Sequence, residues 1–179
     1  MNKLTLRPGE HGFTLIEVLV AMLVLMVGVL GVAAMQLVSF QNNQGAYYRT
    51  QATYIAAEIL DRIRANEPAS YAIYDGVDTT DSNTIPSDPG CAATLSGCSP
   101  AAMAAMDVRD WGAHFVDVFS VTDYRTTIPS SNATIARVGD IFTVQVTWAQ
   151  RVWDNTDNAD GSTERSLINQ SVALTARVE

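Results

Sequence analysis

The sequence predicts an α+β chain: a long N-terminal helix packed along its second half on a C-terminal antiparallel β-sheet, with a short second helix between them. Three observations carry this. Val18 to Met35 contains no charged or hydrogen-bonding side chain. Tyr48, Ala52, Ile55, Ile59 and Ile63 then recur at spacings of three and four, an apolar stripe of helical period. Near the end, Phe142, Val144, Val146 and Trp148 alternate with Thr143, Gln145, Thr147 and Ala149, the period of a strand with one buried face.

The first half of the long helix is long enough to cross a bilayer. From Phe13 to Met35 a helix rises about 35 Å at ~1.5 Å per residue, against a hydrocarbon core of about 30 Å. Glu17 interrupts it. A carboxylate at mid-bilayer costs about 2.5–3.5 kcal/mol on insertion scales, so an acid there is either solvated at the interface or kept for a function. Gly28 and Gly31 lie within the span. They suit either close helix packing or a point at which the helix loosens.

Residues 1–12 are short and polar, with Lys3 and Arg7 against Glu10. They cannot form the apolar core of a secretory signal, and no small-x-small cleavage site follows the span. Their two bases favour a cytoplasmic N-terminus.

Gly12-Phe13-Thr14-Leu15-Ile16-Glu17, directly ahead of an apolar helix, resembles the prepilin peptidase site of type IV pilins and type II secretion pseudopilins. The resemblance implies a type IV pilin-like fold, cleavage after Gly12 and N-methylation of Phe13. It also implies that Glu17, fifth in the mature chain, pairs with the N-terminal amine of a neighbouring subunit. A buried carboxylate is tolerated when an opposite charge satisfies it. The organisation expected is a leader at residues 1–12, a transmembrane and assembly half of the helix at 13–38, and a periplasmic globular domain at 39–179.

Beyond Met35 the helix should continue to about Asn66, with Glu58 and Arg62 as a favourable i,i+4 pair and Pro68 as its stop. Residues 69–99 are rich in Ser, Thr, Asp, Gly and Pro and show no period; Asp75-Gly76 and Pro89-Gly90 are turn pairs. Cys91 and Cys98 lie within this stretch. Zinc would need about four ligands, and no His or further Cys is near, so an oxidising compartment should join the two as a disulfide.

Ser99-Pro100 reads as an N-cap followed by proline at the first helical position. The second helix should run over about 100–119, with Ala104, Val108, Trp111, Phe115 and Val118 inward. Asp107, Asp110, His114 and Asp117 should form a solvated acidic face, a cation site being the lesser alternative. Thr134 to Val138, turned by Gly139-Asp140, should add a strand, as should Ile168, Val172, Leu174, Ala176 and Val178, with Gln170 the exception in that row. The sheet should cover the stripe Tyr48–Ile63. Between the last two strands, Asp154 to Gly161 resembles a calcium loop. Aligned on Gly161, however, Thr156 and Leu167 fall where the EF-hand needs Asp and Glu, so a polar hairpin loop is expected.

The run Cys91…Cys98-Ser99-Pro100, then Met103, Asp107 and Trp111, is similar to the PilV-type minor pilins, also called type IV pilus modification proteins. The N-terminal Ile16-Glu17-Val18-Leu19-Val20-Ala21 run is similar to the same group. This resemblance implies a low-abundance subunit that primes pilus assembly within a tip complex. The prepilin peptidase, other minor pilins, the major pilin, a tip adhesin and the inner membrane would be its partners. It implies an inner-membrane single-pass protein, later incorporated into the pilus at the cell surface. A type II secretion pseudopilin and a ligand-binding minor pilin, taking DNA or a surface, are the alternatives.

The net charge of −8, with six Arg and no Lys beyond residue 68, argues against a general nucleic-acid binder. No nucleophile elbow, phosphate loop, HExxH or dinucleotide fingerprint is present. The expectation is a structural subunit, not an enzyme, with no cofactor and no metal.

Overall fold

The computed structural model describes residues 13–153 and 165–178. The leader, with Gly12 and His11, and the loop 154–161 lie outside the described residues.

Helix α1 runs over Leu15–Ala65. Thr14 precedes it, its carbonyl accepting from the amides of Glu17 and Val18 at 3.1 and 3.4 Å. The helix ends ahead of Pro68, which opens a 3-10 turn at Pro68–Ile73. Contacts divide the chain between Asn43 and Gln44. In the first unit no described residue is buried. In the second, Ala52, Ile55, Ala56, Ile59, Leu60 and Ile63 of α1 are buried, with Tyr48 packed beside them, as the periodicity predicts.

The sheet has four antiparallel strands in the order β1-β2-β3-β4. These are β1 (Val77–Asp78), β2 (Ser131–Val138), β3 (Ile141–Trp153) and β4 (Arg165–Arg177). Gly139-Asp140 turns β2 into β3, with Val138 opposite Ile141; Gly139 takes φ +61°, which is why glycine stands there. Phe142, Val144, Val146 and Trp148 of β3 point into one core with the α1 stripe and with Ala133 and Ile135 of β2. The two-residue β1 is not visible as a period. It is held to β2 by Val77 opposite Ile135, and Thr79 supports it by accepting the Ala133 amide through Oγ1 at 2.8 Å.

Helix α2 spans Pro100–Gly112 and opens as the sequence predicts, with Ser99 Oγ accepting from the Ala102 amide at 3.2 Å. It stops about seven residues short of expectation. Beyond Gly112 the chain tightens into turns that carry Phe115 back under Trp111, ring centroids 5.2 Å apart. The Ala113 carbonyl, open at the helix end, accepts from Tyr124 Oη at 2.7 Å. Burying Phe115 through a turn outweighs extending the helix, and Val118 consequently leaves the inward row.

Candidate assembly and processing site

Phe13 and Glu17 are four residues apart at the start of α1, and Glu17 sits in its first turn. A negative charge there is favoured by the helix dipole by about 0.3–1 kcal/mol. Thr14 and Glu17 also have the spacing of a capping box, a signal that a reading of the membrane span alone overlooks. From Phe13 to Tyr48 Glu17 is the only charged side chain. Every large hydrophobic from Phe13 to Phe40 is exposed, Phe13 and Leu15 at 83% each. In water such a helix would be grossly unsatisfied; an apolar surrounding is what its surface calls for.

The globular unit carries a second assembly of polar groups. Arg62 donates to Glu58 at 2.6 Å and to Asp107 at 3.3 Å, joining α1 to α2. Tyr74, fully buried, donates to the other Asp107 oxygen at 2.7 Å and accepts from Asn66 at 2.9 Å. Burial first, then the hydrogen bond to Asp107 and its charge, pushes the Tyr74 pKa above the usual phenol range, with the Asn66 bond and the Arg62 charge acting the other way. His114 Nε2 lies 3.2 Å from Glu58 and Nδ1 2.8 Å from Thr127 Oγ1. Trp111 Nε1 donates to the Ile55 carbonyl at 2.8 Å.

This corrects the expected acidic face. Asp107 is buried at 9% exposure and spends both oxygens on Tyr74 and Arg62. The signal was available: Ala104, Asp107, Val108 and Trp111 follow at three, one and three residues, placing Asp107 on the inward row. Asp107, Asp110, His114 and Asp117 are not brought together, and no metal-ligating cluster occurs among the described residues. Arg62, Asp107 and Tyr74 of this network join α1, the 3-10 turn and α2.

Cys91 and Cys98 form a disulfide, Cα to Cα 5.0 Å. Met106 of α2 packs against both sulfurs, its Sδ at 3.6 and 3.5 Å. The bridge thereby ties the irregular 69–99 stretch to a helix face.

Against known families, residues 7–33 match the prokaryotic N-terminal methylation motif, and residues 34–109 match the family described as Type IV pilin Tt1218. The two adjoin, and together they cover more than half of the chain. Both matches support a type IV pilin. The chain's long helix, antiparallel sheet and short second helix are the type IV pilin fold. Comparison with curated proteins and with solved structures gave no match. As a pilin, the chain is a subunit whose methylation motif implies processing by the prepilin peptidase and assembly with other pilins. The apolar start of α1 fits a membrane anchor.

Proposed function

We propose that this pilin is a PilV-type minor pilin that helps prime pilus assembly and forms part of the tip complex. In this reading the prepilin peptidase cleaves after Gly12, and Phe13 becomes the methylated N-terminus. The subunit waits in the inner membrane with its N-terminus cytoplasmic and its globular domain, about residues 39–179, in the periplasm. It then leaves lipid for a bundle of pilin helices, among the other minor pilins, the major pilin and a tip adhesin. Its role is structural rather than enzymatic.

The observation that carries the reading is Glu17: one carboxylate in the first turn of a helix whose large hydrophobic side chains from Phe13 to Phe40 are all exposed. A lipid anchor draws no more from that charge than a favourable helix start. In a bundle it provides a partner for the terminal amine of an adjoining subunit. The Cys91–Cys98 bridge followed by the Ser99-Pro100 helix start supports the PilV-type assignment.

The test is Glu17→Ala, with Glu17→Gln to separate charge from hydrogen bonding. Cleavage and insertion should be unchanged. Leaving a buried amine unpaired costs on the order of 3–5 kcal/mol. The variant should therefore fall at least a hundredfold in sheared pili and lose cross-links to other minor pilins. Wild-type amounts in pili would show that helix packing alone recruits the subunit.

A further inference from the structure

The sheet ends on an open strand. β3 pairs with β4 along its whole length, and among the described residues no strand pairs with the other edge of β4. Thirteen residues there present alternate N–H and C=O groups outward, a template for one more strand. β4 contains no proline, no lysine and no acidic residue, and its only charged residues are the arginines at its two ends, Arg165 and Arg177. Its inner row is also incompletely covered. On β3, Phe142, Val144, Val146 and Trp148 are 0–1% exposed. On β4, Ile168, Gln170, Val172 and Leu174 are only half-buried. A strand added beside β4 would cover this row laterally, as β4 covers that of β3.

We propose that β4 is a docking edge for an extended segment of a different protein, which adds as a fifth strand of the sheet. The segment that fits is apolar at the alternate positions beside Ile168, Val172 and Leu174, and acidic where it passes the exposed Arg177. Charge favours this occupant: in a chain of net charge −8, β4 holds no carboxylate and ends on an arginine. A second copy of the chain paired antiparallel through β4 fits less well. Antiparallel pairing of two β4 strands places a two-fold axis normal to the sheet, which reverses the course of the packed segment of α1 from one copy to the other. Two copies held in one membrane by N-terminal spans share that course. Only this exclusion rests on the pilin reading above.

The test places the photo-cross-linking residue p-benzoylphenylalanine at Leu167 or Thr175, both exposed, in the full chain in its own cells. Adducts are read in whole membranes and in sheared pili. Both positions should label one partner, at sites about eight residues apart in a single extended segment, as strand pairing at ~3.3 Å per residue requires. Amides of β4 should exchange hydrogen at least tenfold more slowly in that complex than in the free chain. Val172→Lys, which turns a charge inward at the edge, should cut adduct yield at least tenfold, and Arg177→Glu severalfold. Adducts to a second copy, adduct sites spaced as on a helix, or no adduct in either fraction would overturn the proposal. So would unchanged yield in both variants. Absence of the chain from pili, with the membrane adducts retained, would count against the pilin reading and leave the docking edge supported.

Discussion

Gly45 lies in α1 where the side chain of Gln150 on β3 closes over it, and an added Cβ would meet the Gln150 amide. The obstacle is the far end of a flexible side chain, which can swing aside. Alanine is favoured over glycine in a helix interior by ~1 kcal/mol. Gly45→Ala should therefore leave stability unchanged or raise it by up to about 1 kcal/mol, read by denaturant unfolding. A loss of more than that would mean the Gln150 contact is rigid. Other residues were legible for physical reasons. Ser99, Pro100 and Gly139 act through local backbone geometry, so their roles could be read from their neighbours alone. Asp107 could not be read that way, because its environment is made by Arg62 and Tyr74, 45 and 33 residues distant. Burial of an acid is a tertiary fact, and only its place in the apolar row hinted at it.

Elements are joined here as much by polar groups as by packing. Asp107 of α2 holds Arg62 of α1 and Tyr74 after the 3-10 turn, so its removal strands two donors at once. Arg62 retains Glu58, but buried Tyr74 keeps only the bond it accepts from Asn66. Asp107→Ala should cost about 2–4 kcal/mol in denaturant unfolding, and Tyr74→Phe about 1.5–3 kcal/mol. A change below 0.5 kcal/mol in both would show that water replaces the network. The network also sets a response to alkali. With its pKa raised in the fold, Tyr74 keeps its proton where the unfolded chain has already lost it. Its contribution is complete below the unfolded phenol value of about 10 and declines above it, by at most ~1.4 kcal/mol per pH unit. Tyr74→Phe should flatten the alkaline limb of stability against pH; an unchanged limb would assign it to other groups. The disulfide is a separate fastening. Cys98→Ala, or reduction, should lower stability by about 2–3 kcal/mol, and free-thiol labelling without reductant should find neither cysteine.

At the scale of the whole chain, each periodic segment announced itself and the aperiodic ones did not. The α1 stripe and the β2–β4 alternation are repeated choices over many residues, so the helix and three of the four strands followed from pattern. Strand β1 is two residues long and depends on β2 for its existence. The end of α2 is decided by where Phe115 can be buried, which local propensity does not contain. The same distribution leads to a prediction about independence. Every residue of the hydrophobic core lies at or beyond Ala52, and the first unit, ending at Asn43, contributes none of them. Hydrophobic burial is the main favourable term in folding, so removing a segment that buries nothing should remove little stability. The fragment Gln44–Glu179 should therefore fold alone in water. It should unfold in one cooperative transition whose midpoint lies within a few degrees of that of the full chain in detergent. It should not bind vesicles, since the exposed apolar stretch is gone. The Gln44 end of α1 will fray, because the first turn of any helix lacks partners for its amides, but the loss should stop before Ala52. Far-UV circular dichroism and a thermal scan decide it. A fragment without a cooperative transition would mean that residues before Gln44 nucleate α1 and that the core depends on them for its longest element.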